Sequence, residues 1–141
     1  MQYFTLEPEV AGNLGEQSVV DTSVHPPVVT SLDYQFDGWL GDELLESFPC
    51  FLVTVPVGVA LEAAALTGFT LAECTVSRSE QFEELHPGTA LPEFRWLQVT
   101  GEAGVEDVGM STDHCLVVSA RAHEVLSGFR LEACDVEPWP G

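Results

Sequence analysis

Cys50, Cys74, Cys115 and Cys134, together with His25, His86, His114 and His123, are the side chains here best suited to binding a soft metal or attacking an electrophile. Structural zinc sites draw their ligands from short C-x₂₋₄-C pairs, because a tight turn aims two thiolates at one ion. In this chain Cys50 and Cys74 are 24 residues apart and Cys115 and Cys134 are 19 apart, so each interval has room for a helix. The one adjacent pair, His114-Cys115, projects to opposite faces if both residues lie in a strand. The cysteines therefore read as small buried hydrophobes, with no metal site.

Nucleophilic and phosphate chemistry find no better support. The chain has no G-x-S-x-G elbow and no cysteine in an electropositive run that would lower its pKa. The glycine-rich stretches "GNLGE" and "GEAG" lack both the lysine and the strand–loop–helix context of a phosphate loop. Carboxylates are so abundant that no acid/base pair stands out. His86 and His123 read as surface residues. No catalytic residue and no cofactor is expected.

Charge carries more information. There are 23 acidic residues against four Arg and no Lys, a net charge of −19 at pH 7. Nine of the acids lie in residues 1–47, six in 48–94 and eight in 95–141, so they form a body and not a tail. Apolar residues make up 45%, enough for a folded core and too many for a disordered chain. Such a surface repels nucleic acid and anionic membrane, and draws cationic partners at steered rates; the alternative is acidity that serves solubility alone or reflects a genome that favours Asp and Glu. Within "DYQFDGWLGDELLE", Asp37, Asp42, Glu43 and Glu46 surround Trp39, and an aromatic beside carboxylates suits a partner's Arg or Lys. The alternative is Trp39 as a core anchor in a turn. "EQFEEL" offers Glu80, Glu83 and Glu84 on one helix, with a solvated face as the alternative.

Those residues need elements to position them, and the clearest elements occur in two copies. "GFTLAECTV" (68–76) and "GFRLEACDV" (128–136) agree at five of nine positions. Each follows an apolar run, "CFLVT" or "CLVV", which reads as a buried strand. Thr54 and Ser119 are placed to cap the intervening helices, Pro56 suits a first turn, and Gly68 and Gly128 suit helix stops. The spacing predicts a β-α-β unit over 50–77 and a second over 115–137. Residues 1–49 form an N-terminal extended region, in which "QYFTL" is a strand and a short helix starts near Asp42. Residues 78–114 hold a helix capped by Ser79 and a strand, "EFRWLQVT", that turns Phe94, Trp96 and Leu97 toward the core. The expected fold is α+β: one domain over 1–141, a mixed sheet with short helices packed on it.

"MQYFTLEPEV" has neither a basic nor a continuous apolar segment, and no run approaches the ~18 apolar residues of a membrane span. A cytoplasmic protein with reduced thiols is expected.

The two units, and "HCLVVSARAHEVLSGFRLEACDVEPW" most closely, resemble a C-terminal pattern in immunity proteins of bacterial polymorphic toxin systems. "YFTLEPEVAGNLGE" and "HPPVVTSLDYQFDGWLGDELLESFPCFLVT" are similar to small bacterial proteins of the same layout. Such proteins typically show "VSER" after the last apolar run, where this chain has Ser119 followed by Ala120-Arg121. The resemblance implies stoichiometric inhibition of a cognate toxin, usually encoded next door, and no catalytic residues. A basic toxin domain is the partner it suggests. A DNA mimic that sequesters a nucleic-acid-binding protein is the second binding reading, and a small enzyme is the third.

Overall fold

The computed structural model describes residues 2–140. Among them the chain forms β1 (Tyr3–Glu7), β2 (Gly12–Leu14), β3 (Val19–Asp21), β4 (Val28–Ser31), β5 (Asp33–Phe36), β6 (Leu44–Ser47), β7 (Cys50–Thr54), α1 (Val55–Ala63), β8 (Phe69–Ala72), β9 (Thr75–Arg78), α2 (Glu80–Leu85), β10 (Phe94–Val99), β11 (Val108–Met110), β12 (Leu116–Ser119), α3 (Ala120–Leu126) and β13 (Asp135–Pro138). The class is α+β, but the strands form four small sheets instead of one mixed sheet. Two are four-stranded and antiparallel, in the orders β11-β12-β1-β13 and β6-β7-β10-β8. β2-β5-β9 forms a third, with its parallel pair between β5 and β9, and β3-β4 is a separate hairpin.

β7 explains how the layers are joined. All five residues of "CFLVT" are buried, and successive side chains of a strand point to opposite faces. Phe51 and Val53 enter one core with Leu6, Leu44, Val57, Leu61, Leu97, Leu116, Val118 and Leu126. Cys50 and Leu52 enter the other with Tyr34, Phe36, Leu45, Phe82, Phe94 and Trp96. β7 thus contributes apolar side chains to a core on each side of the β6-β7-β10-β8 sheet.

Several expectations need correction here. "DELLES" is not a helix: strand β6 takes its last four residues, although the first two suit a helix start. Leu44 and Leu45 are adjacent yet belong to different cores, which only a strand's two-residue alternation allows. "FTLAECTV" is split after Ala72: β8 pairs with β10, and β9 pairs with β5 in another sheet. "FRLEACDV" is strand only from Asp135, because the amides of Arg130, Glu132 and Ala133 donate to carboxylates of the 42–43 segment and not to a neighbouring strand. α1 stops at Ala63, so Gly68 serves the turn beyond it, at φ +98° and with its carbonyl accepting the N–H groups of Thr100 and Gly101. Cys115 lies just ahead of β12 and not in it.

The helix ends follow the caps. Ser119 Oγ accepts the Ala122 N–H and Ser79 Oγ accepts the Phe82 N–H, each at 3.1 Å. Thr54 occupies the cap position of α1 without capping, because its hydroxyl donates to Glu43 Oε1 at 3.1 Å. In both four-stranded sheets the strands joined by a helix flank a third strand antiparallel to both: β7 and β8 flank β10, and β12 and β13 flank β1. No helix among the described residues is long and apolar enough to cross a membrane.

Candidate functional site

The segment after β1 is fixed by polar groups on its inner side. Glu9 is buried, and its backbone oxygen accepts the Glu46 N–H at 2.9 Å. Tyr34 OH accepts the Ala11 N–H and donates to the Glu46 carbonyl, both at 2.9 Å. Val10, between these anchors, is turned outward and 66% exposed.

Leu40 is presented in the same way. Glu9 Oε2 accepts the Leu40 N–H at 2.7 Å, and Glu9 Oε1 accepts the Asp42 N–H at 3.3 Å. On the other side the Arg130 guanidinium donates to the Leu40 carbonyl at 3.3 Å. Asp42, fully buried, accepts the Glu132 N–H at 3.0 Å and the Ala133 N–H at 2.8 Å. Glu43 Oε2 accepts the Arg130 N–H at 2.9 Å. Leu40 thus stands 68% exposed on a backbone that is held at both its N–H and its carbonyl.

Val10 and Leu40, with Glu9, form the wall shared by two adjoining clefts. The first, about 540 Å³, is lined by Glu7, Glu9, Glu46 and Asp135, by His114 and Cys115, and by apolar Leu6, Pro8, Leu116 and Ala133. The second, about 370 Å³, has Asp37, Trp39, Asn13, Gln81, His86 and the 62%-exposed Leu85. None of the four Arg lines either cleft. Glu7 and Asp135 are cross-strand partners of β1 and β13, so two like charges sit directly opposite each other. Burial raises the Glu46 carboxyl above its ordinary value, and the charge of Glu7 adds to this. Burial also raises Glu9, against the lowering effect of the Leu40 and Asp42 amides. The site is an apolar ridge with an acidic surround.

The residues expected from sequence divide into three groups. Asp37, Trp39 and Glu46 line the clefts. Trp39 is partly buried, donates through Nε1 to the Asp42 carbonyl at 3.0 Å and meets Phe94 edge-on at 6.2 Å, so it also serves the core. Asp37 accepts from Asn13 Nδ2 at 2.9 Å. Asp42 and Glu43 turn inward and hold the 130–133 loop. Glu80, Glu83 and Glu84 are exposed on α2 outside both cleft linings, with Glu83 4.0 Å from Arg78. Sequence reasoning missed Glu7, Glu9, Val10, Leu40, Leu85 and Asp135. Single apolar residues in loops give no periodic signal, and the carboxylates are hidden among many others.

His114 and Cys115 share the first cleft instead of projecting apart, because neither lies in a strand; His114 adopts φ +64° in the turn before β12. The Cys115 thiol is raised by burial and by the Asp113 charge, which opposes thiolate formation. All four cysteines are free. They do not occupy matching environments: Cys50 is in the core, Cys74 and Cys134 are at core margins, and Cys115 faces the cleft. Among the described residues, no group of three or more His, Cys, Asp or Glu side chains is placed to hold a metal ion.

No family model matches the chain, and no curated protein is significantly similar to it.

Proposed function

We propose that this chain is a non-enzymatic acidic binding protein of the immunity type, which neutralises a basic toxin domain in the cytoplasm by stoichiometric occlusion. One observation carries the reading. Each of the four Arg already lies against an acid of its own chain: Arg78 at 4.0 Å from Glu83, Arg95 at 3.1 Å from Glu93, Arg121 at 2.9 Å from Asp107 and Arg130 at 3.1 Å from Glu132. No Arg is left over to offset the other acids, and apart from buried Glu9, Asp33 and Asp42 these face solvent and partners wholly or in part. Electrostatic steering of this kind gives a fast-associating inhibitor of a cationic cleft. The two four-stranded sheets, each with a helix crossing over a central antiparallel strand, further support reading the chain as one split β-α-β unit used twice.

The first cleft supplies a second reading, because it brings His114 and Cys115 beside carboxylates. It lacks a cationic group for an oxyanion, and its thiol is shifted away from nucleophilicity. Binding is the better account. The DNA-mimic reading shares the same electrostatics and differs in the partner.

The test is co-expression with the products of adjacent reading frames. One of them should be toxic alone, tolerated with this chain, and captured by it in a complex that weakens as salt rises. If no neighbour is toxic, or if toxicity is unchanged by this chain, the immunity reading fails. Capture of a nucleic-acid-binding protein that is not toxic would select the mimic.

A further inference from the structure

We infer that the Val10–Leu40 ridge is the docking surface, and that it takes a partner segment pairing an exposed apolar side chain with an Arg or Lys that enters the Glu7–Glu46–Asp135 cleft. This rests on the reading of the chain as a binder of a basic protein, and adds the surface and the chemistry of the segment.

Three features favour this surface. Val10, Leu40 and Leu85 are all more than 60% exposed; Val10 and Leu40 form the wall common to both clefts, and Leu85 lines the second. An apolar centre with a polar rim is the anatomy of a protein interface. Second, the ridge is rigid: Leu40 is tied by Glu9 and Arg130, so docking costs little ordering entropy on this side. Third, Glu7 opposes Asp135 across β1 and β13, with Glu46 in the same cleft and no Arg among its lining residues. A cationic side chain placed there meets several carboxylates at once and relieves their mutual repulsion. A second copy of this chain would bring the same negative charge to the surface, and an anionic membrane or a nucleic acid is repelled. Charge and shape therefore agree on a cationic amphipathic protein segment.

The experiment uses the full chain, labelled with ¹⁵N, and three synthetic peptides. One is an amphipathic helix of Leu and Arg, the second has the same composition scrambled, and the third is oligoarginine. The amphipathic peptide should bind tightest and shift the amides of residues 7, 9, 10, 38–41, 46 and 133–135. Leu40→Asp should weaken it by roughly tenfold, as for an interface hot spot. The double variant Glu46→Gln/Asp135→Asn should weaken it several-fold more than Glu62→Gln/Glu124→Gln, which removes the same charge from α1 and α3. Circular dichroism confirms that each variant is folded. Shifts spread evenly over the surface, equal effects of the two double variants, or unchanged binding by Leu40→Asp would overturn this surface while the basic-partner reading stands. Failure of all three peptides to bind at low salt overturns both.

Discussion

Asp42 and Ala133 stand 91 residues apart in the chain, and the Asp42 Oδ2 atom accepts the Ala133 N–H at 2.8 Å. Its other oxygen accepts the Glu132 N–H at 3.0 Å, so one fully buried carboxylate stops two backbone donors of the 130–133 loop. Removing it leaves both amides without a partner. Asp42→Ala should destabilise the fold by about 2 kcal/mol, the cost of stranding partly buried donors. Asp42→Asn, which keeps one acceptor oxygen, should lose roughly half as much. Urea midpoints of the two variants and the unaltered chain check this, and an Asp42→Ala midpoint equal to that of the unaltered chain would show that the carboxylate does not hold the loop.

Two glycines with similar backbones separate strain from crowding. Gly68 has φ +98°, and a Cβ there would lie 1.9 Å from the Val108 carbonyl oxygen. Gly88 has φ +74° with open space around it. Gly88→Ala should cost about 1 kcal/mol, the left-handed conformation alone. Gly68→Ala adds a backbone collision and should cost more than about 3 kcal/mol, or prevent folding. Thermal unfolding of both variants decides it; equal losses would place no contact at Gly68.

What could be seen in the sequence was local. "CFLVT" announces a buried strand because a strand shared by two cores needs apolar residues on both faces, "EFRWLQVT" announces one by alternation, and Phe94, Trp96 and Leu97 are buried. Ser79 and Ser119 announce helix starts because capping acts within three residues. The rest depends on distant partners. Nothing near Asp42 and Glu43 says that residues 130–133 will use their carboxylates, so they read as surface binding groups. "DELLES" carries helix-start chemistry that is overruled when Leu44 and Leu45 enter different cores. The clefts are assembled from residues 6–13, 37–46, 81–86 and 114–135, and no single stretch contains the ridge.

The thiols should react in an order set by burial. Cys50 is in the core and burial pushes its thiol up to about 12, while Cys74 and Cys134 are pushed up to about 11, also by burial first. Cys115 lines the open first cleft. Limited iodoacetamide treatment of the folded chain, read by peptide mass spectrometry, should label Cys115 first and Cys50 only after urea is added. Early labelling of Cys50 would contradict its place between the sheets. A bound partner on the ridge should slow the labelling of Cys115.

Stability should peak in mild acid. Glu9 and Glu46 are both raised above the ordinary 4.5, chiefly by burial, so the folded chain holds protons that the unfolded chain has released. Their contribution to stability is present below 4.5 and is lost as pH rises through the raised folded values. Asp107 runs the other way. Burial works to raise it, but hydrogen bonds from Arg121, Ser119 and the Thr67 amide outweigh this and hold it at about 2, below the ordinary 3.8. Its contribution is present above 3.8 and lost as pH falls through about 2. The net charge of −19 adds self-repulsion that shrinks on acidification, in the same direction as the two glutamates. The melting temperature should therefore rise as pH falls from neutrality toward 4.5 and drop as pH falls from 3.8 toward about 2. Scans are best made at low concentration, because the sequence pI is near 4.1. Asp107→Asn should lower stability near neutrality and flatten the acid limb, while Glu46→Gln should raise stability at pH 7 and flatten the other. A melting temperature that falls steadily from pH 7 to 5 would show that the buried glutamates are not under strain.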